Sequence, residues 1–385
     1  MIEHRGYGAS TPFAEQDTAN LQYLSLENAI KDMVHFARDV ELPFDNNRSS
    51  NAPQSPWVFV GASCTGALAA WIQKLAPGTF WAYHSSSGPV QAIYNFWHYY
   101  VPVQEGMPQD CRKAFEQISS QVDKVLGNGT ATDVGRLKAM FQLEKLEYND
   151  DFANAISSPL GGWQSTGSAT DDAGFQAMCN SILGGGPAAR SNLTAGGTGG
   201  VDVLTNYANW FKTQYYPEWE AEGSVGCFDT HNASSPFYRD WTANNTAHRP
   251  WMWQLCDEPF FYWPTGSAPE GVATIVPRAI TPEYYQQQCD LFLPEQGNHT
   301  YGSDDGATDM QLNQLTGGWN LTNTTRLLWI NGEFDPWRST SVSSDFRPGG
   351  PLKSTPEAPA LVMSGARHCE DMQIRNNVNP AVGEA

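Results

Sequence analysis

Three residues of this chain have the types that acyl transfer needs, and they occur in the order Ser63, Asp335, His368. A serine hydroxyl is a weak nucleophile at neutral pH and needs a base to take its proton. An imidazole can do that, and a carboxylate fixes the imidazole's tautomer and stabilises the imidazolium that forms. Each residue is commonplace alone. A serine among small residues arises by chance, an aspartate before proline is a turn residue, and a loop histidine is often only polar. The surrounding pattern is what singles them out.

Trp57-Val58-Phe59-Val60 reads as a buried strand, Gly61-Ala62-Ser63-Cys64-Thr65-Gly66 as a tight turn, and Ala67 to Trp71 as the start of an apolar helix. Such a turn projects the serine hydroxyl while the helix N-terminus aims amides and positive dipole at the same point. The usual pattern is G-x-S-x-G; here Thr65 takes the last position and Gly66 follows it. Asp335 comes just after a predicted strand at Arg326 to Ile330, and His368 just after another at Pro359 to Met363. Ser, then Asp, then His is the chain order of α/β-hydrolase triads. The expected fold class is therefore α/β, with a mostly parallel sheet of the α/β-hydrolase kind.

Longer motifs carry a resemblance. Glu3-His4-Arg5-Gly6-Tyr7-Gly8-Ala9-Ser10, Leu42-Pro43-Phe44-Asp45, Gly78-Thr79-Phe80-Trp81, Asn331-Gly332-Glu333-Phe334-Asp335-Pro336-Trp337 and Gly365-Ala366-Arg367-His368 are spread along most of the chain. With them the chain resembles the serine peptidase family that holds lysosomal Pro-X carboxypeptidase, dipeptidyl peptidase II and the fungal prolyl endopeptidases. The resemblance implies Ser63 as nucleophile, Asp335 as orienting acid and His368 as base. It implies the backbone N–H of Cys64, which stands where an aromatic residue is more usual, as an oxyanion donor. It implies a helical cap at residues 93–226, inserted between hydrolase segments 1–92 and 227–385. Disulfides Cys256–Cys289 and Cys111–Cys179 are implied too, with Cys64 and Cys369 left as thiols.

The implied substrate is a peptide or protein cleaved after proline. Proline is compact, rigid and apolar, so an aromatic-walled pocket suits it. Trp337 is the first candidate wall, because it lies two residues beyond Asp335; Trp251 and Trp253 are others, with core packing the alternative for that pair. The same scaffold also supports an esterase or lipase. Family members carry strands before the Glu3-His4-Arg5 motif, and a loop after one of them gives a second oxyanion donor. The expectation is thus an N-terminally truncated member, and loss of one donor costs about two to three orders of magnitude in turnover. A catalytically impaired homologue is the remaining alternative.

The 385 residues carry 22 Lys+Arg against 41 Asp+Glu, a net charge of −19, which argues against nucleic acid as partner. No apolar run approaches the roughly 18–20 residues of a membrane span. Eight N-x-[ST] sequons, at Asn47, Asn128, Asn192, Asn232, Asn244, Asn298, Asn320 and Asn323, point to a secreted or vacuolar/lysosomal glycoprotein. His231 and His248 lie in loops with acids nearby, but no metal-ligand spacing surrounds them, and no cofactor or metal is expected. Leu26, Ala29, Ile30, Met33, Val34, Ala37 and Val40 recur at helical spacing after Ser25, which predicts an amphipathic helix with that serine as cap. Gly-rich residues 157–174 and 184–200 are expected as surface loops.

Overall fold

The computed structural model describes residues 1–45, 47–167, 173–185, 201–217, 227–245 and 248–384. The chain divides into two compact units. The first holds residues 1–94, 238–262 and 289–385; the second holds 95–237 and 263–288. The hydrolase segment expected from residue 227 onward therefore starts at Tyr238 and is interrupted, because residues 263–288 fold with the helical unit.

In the first unit, helix α1 (Leu26–Asp39) is capped by the Ser25 side chain, which accepts from the Asn28 N–H. Its buried residues Leu26, Ala29, Ile30, Met33 and Ala37 are those of the predicted apolar stripe. Strand β1 (Val58–Ala62) runs into helix α2 (Cys64–Leu75), which returns the chain to β2 (Ala82–Ser86). Strands β3 (Leu327–Gly332) and β4 (Ala360–Met363) complete a parallel sheet of order β1-β2-β3-β4. Helix α2 buries Ala67, Leu68, Ala69, Ala70 and Ile72 at 3% exposure or less. Burying one such leucine or isoleucine is worth about 1.5–3 kcal/mol.

The β1 strand corrects the expectation of a buried run. Val58 and Val60 are 54% and 52% exposed, and the burial pattern alternates. Among the described residues β1 pairs on one side only, with β2, so one edge stays open, and the face that Val58 and Val60 share is uncovered as well. Helix α3 (His248–Asp257) is held to residue 289 by the Cys256–Cys289 disulfide.

The helical unit includes Gln109–Asn128, Ala131–Met140, Asn149–Gly161, Ala173–Ile182 and Val203–Trp210. Phe115, Phe141, Phe152, Tyr207 and Phe211 form its aromatic centre, each at 2% exposure or less. Cys111–Cys179 joins the first and fourth of those helices. The expected loop at 157–174 is corrected in part: Ser157 and Gly161 close a helix and Gly162–Ser165 forms a 3₁₀ turn, because Ala155, Ile156 and Leu160 are buried. Residues 168–172 of that stretch, and 186–200 of the second, lie outside the described residues. No described helix is long and apolar enough to cross a membrane.

One acid gives the fold a pH signature. Asp257 ends α3, where the helix dipole disfavours an anion. Burial, then the charges of Glu258 and Asp305, push its carboxyl from 3.8 to about 7 against the Gly302 N–H bond. The folded state thus binds the extra proton between those values. This group's stabilisation is full at acid pH and is lost as pH rises through about 7. Asp257→Asn keeps an acceptor for Gly302 and removes the ionisation. Relative to the parent chain, its melting temperature should therefore improve from pH 4.5 to about pH 7 and level off above that; a pH-independent difference would contradict this.

Candidate active site

The turn after β1 is shaped by its glycines. A Cβ at Gly61 would lie 2.0 Å from the Thr65 carbonyl oxygen, and one at Gly66 would lie 2.4 Å from that of Ser86. Thr65, at the position where the usual pattern has glycine, bridges the turn instead. Its Oγ1 accepts from Ala62 N–H at 2.9 Å and donates to Ala62 O at 2.7 Å. Ser63 is thereby held at φ 56°, ψ −126°. A non-glycine residue there stores about 1–3 kcal/mol of strain, which the surroundings must sustain. Its N–H donates to Ser86 O at 2.9 Å, and its carbonyl accepts from Gly66 and Ala67 as α2 begins. Cys64 is the first residue of α2, where backbone amides have no intrahelical acceptor.

Asp335 is fully buried just beyond β3 and caps a short 3₁₀ turn, accepting from Trp337 N–H at 2.9 Å. Its Oδ1 and Oδ2 stand 3.0 and 3.1 Å from His368 Nδ1. Burial alone would lower the His368 pKa. The Asp335 charge and hydrogen bond outweigh it and hold the imidazole well above its ordinary 6.5. The imidazolium is thus the stabilised form. The two loops pack without a gap: a Cβ at Gly332 would lie 2.2 Å from the Arg367 carbonyl oxygen. Glu333 Oε2 also accepts from Ser364 Oγ at 2.9 Å and Gly365 N–H at 2.8 Å. Ser63, Asp335 and His368 therefore all follow the C-terminal ends of strands in one parallel sheet.

Beside Cys64 and Thr65 lies a cavity of about 390 Å³ within the same unit. Leu68, Trp71, Trp251, Phe260 and Tyr262 give it apolar walls. Tyr7 and Gln254 also line it and satisfy one another, Tyr7 Oη donating to Gln254 Oε1 at 2.6 Å. Cys64 is exposed and lines this cavity. Burial pushes its thiol up to about 12, so it is no thiolate rival to Ser63.

Of the three tryptophans expected as walls, Trp251 lines the cavity. Trp337 packs edge-on to Tyr262 at 5.5 Å and lies 6.3 Å from the His368 ring. Trp253 is a correction: it is 1% exposed and donates its indole N–H to Leu24 O, so it belongs to the core. Leu68, Trp71 and Tyr7 were not read as site residues. Cys64, Leu68 and Trp71 are spaced at helical intervals along one face of α2, and that periodicity is the signal which finds them.

In the helical unit Asp150, Asp151 and His231 each bring a ligand-type atom within 4.8 Å of the others, a closeness sequence spacing did not reveal. His231 Nε2 is 3.1 Å from Asp150 Oδ1, its ring stacks on Tyr148, and buried Lys138 ties down the neighbouring carbonyls of Leu146 and Glu147.

The sequence model of the family described as serine carboxypeptidase S28 matches residues 1–382. The chain is 43% identical over 394 residues to "Serine protease vicPb" of Bipolaris victoriae (strain FI3), covering all of this chain and 73% of that protein. It is 28% identical over 365 residues to "Probable extracellular serine carboxypeptidase" of Arthroderma benhamiae, covering 89% of this chain and 49% of that protein. It is 26% identical over 386 residues to the mouse "Thymus-specific serine protease", covering 96% and 68%. With a family-wide match over nearly its whole length and a parallel α/β sheet to carry it, this chain belongs to the serine carboxypeptidase S28 family and is a serine-type peptidase with an α/β-hydrolase-like fold.

Proposed function

We propose that the chain hydrolyses peptide bonds after proline through an acyl-enzyme on Ser63. The observation that carries this reading is the buried Asp335–His368 pair at the ends of β3 and β4, in the same sheet whose β1 ends on the strained Ser63. His368 Nε2 takes the Ser63 hydroxyl proton as Oγ attacks the scissile carbonyl. Asp335 holds the Nδ1–H tautomer and stabilises the imidazolium. The Cys64 N–H receives charge on the tetrahedral oxygen. The imidazolium then protonates the leaving amine, and water, activated by the same imidazole, releases the acyl group.

The cavity supports proline as the residue before the scissile bond. It opens beside Cys64, offers flat aromatic walls, and has its polar pair already satisfied, so a ring of methylenes loses nothing by entering. Cleavage of a Pro-p-nitroanilide peptide, set against a p-nitrophenyl ester of similar size, tests the reading. Ester turnover alone would favour an esterase. Trp251→Ala removes one wall. Its kcat/KM for the proline substrate should fall about tenfold, mostly through KM, because an aromatic contact is worth about 0.5–1.5 kcal/mol. An unchanged KM would place proline elsewhere.

Secretion or a lysosome-like compartment, with glycosylation, belongs to the same proposal. Asn47, Asn128, Asn232, Asn244, Asn298, Asn320 and Asn323 are all exposed, as glycan attachment requires; Asn192 lies outside the described residues.

A further inference from the structure

Two serines at the end of β2 have no step in the hydrolysis described above, yet the turn that bears Ser63, the turn that bears His368 and the strand that leads to Asp335 are all bonded to them. Ser86 and Ser87 are fully buried. Toward β1, Ser86 O accepts the Ser63 N–H at 2.9 Å. Toward β3, Ser87 N–H donates to Ile330 O at 2.7 Å, near the end of the strand that leads to Asp335. Toward the histidine turn, Ser87 Oγ accepts the N–H of Cys369, the residue after His368, at 3.0 Å. Ser86 Oγ donates to Asp371 Oδ1 at 2.6 Å, and Asp371 Oδ2 lies 3.0 Å from His84 Nε2. The Asp371 side chain is 4% exposed.

The sheet order explains why these bonds matter. His368 follows β4, and β2 and β3 lie between β4 and the strand that carries Ser63. The histidine turn must reach back across β3 to face the nucleophile, and the Cys369–Ser87 and Asp371–Ser86 bonds hold it over the end of β2. Both residues of the first bond are in the left-handed region, Ser87 at φ 50° and Cys369 at φ 54°. Neither is glycine, so neither would rest there without an opposing constraint.

We propose that Ser87 and Asp371 are positioning residues that set the His368 imidazole over Ser63, with the end of β2 as the common anchor of the Ser63 turn, the His368 turn and the strand that leads to Asp335. The proposal rests on the reading of Ser63, Asp335 and His368 given above. A misplacement of about 1 Å in such a constellation costs about 10²-fold in rate.

Four forms of the full chain test it: the parent, Ser87→Ala, Asp371→Ala and Asp371→Asn. Each is assayed for the rate of fluorophosphonate labelling and for kcat and KM on the proline substrate, with its melting curve. Ser87→Ala and Asp371→Ala should each slow labelling and kcat about 10²-fold, with KM within about twofold. Asp371→Asn keeps an acceptor for Ser86 and offers an N–H to His84 Nε2, so it should retain activity within a few-fold of the parent. If Ser87→Ala does not fold, the Asp371 pair decides: a slow alanine variant beside a fast asparagine variant supports the proposal. Folded variants that label as fast as the parent overturn it, as does an asparagine variant as slow as the alanine one. A parent chain that does not label at Ser63 overturns the triad reading instead, and so is told apart.

Discussion

Asp335→Asn should lower kcat for cleavage after proline by about four orders of magnitude while KM and the melting temperature change little. The asparagine can still accept the Trp337 N–H that Asp335 accepts at 2.9 Å, so the 3₁₀ turn keeps its cap. The difference lies at His368 Nδ1, 3.0 Å away. A carboxylate there accepts a proton donor, whereas an amide nitrogen donates. The imidazole then turns to the tautomer with its proton on Nε2 and can no longer take one from Ser63. The balance of forces on the ring changes as well. Burial lowers the His368 pKa and Asp335 raises it, the latter prevailing. With that charge gone, burial is opposed only by the smaller contribution of Cys369, and the His368 pKa should fall. An NMR titration of the imidazole checks that shift, and steady-state kinetics check the rate. A variant with more than about a tenth of parental kcat would show that His368 is oriented by something other than Asp335.

Gly66→Ala should be strongly damaging although it adds a single methyl group. Its added methyl would sit 2.4 Å from the Ser86 backbone oxygen, with the Gly61 oxygen and the Gly88 Cα at 3.2 Å. None of these is the end of a flexible side chain. The clash falls on the carbonyl that accepts the Ser63 N–H, so relief requires the start of α2 to move off the ends of β1 and β2, where Ser63 is held. Overpacking of this kind costs about 1–3 kcal/mol or more, a large share of the roughly 5–15 kcal/mol that holds a domain together. Chemical denaturation should show a lower midpoint, and fluorophosphonate labelling of the surviving fold should be much slower. A variant as stable and as reactive as the parent would mean that the turn is looser than its contacts imply.

The parts of the site that were legible in the sequence are those set by short-range pattern. Strand, small-residue turn and apolar helix around Ser63 follow from local periodicity and from the glycines at 61 and 66. The amphipathic helix after Ser25 was legible for the same reason. What could not be read depends on which strand neighbours which. Val58 and Val60 have the composition of a buried strand, but burial needs an element packed over the face they share, and composition does not reveal whether one is there. Trp251 and Trp253 are two residues apart on one helix and so point to different sides, one to the cavity and one to the core. Tyr7 meets Gln254 across 247 positions of chain. Ser86 and Ser87 look like ordinary strand-end residues until the sheet order brings two turns and a strand to them.

The most direct test of the account is fluorophosphonate labelling of the intact chain, followed by mapping of the modified residue by mass spectrometry, with Ser63→Ala as the control. The account predicts a single adduct on Ser63 and no labelling of the alanine variant. An adduct on another residue, or undiminished labelling of Ser63→Ala, would contradict it.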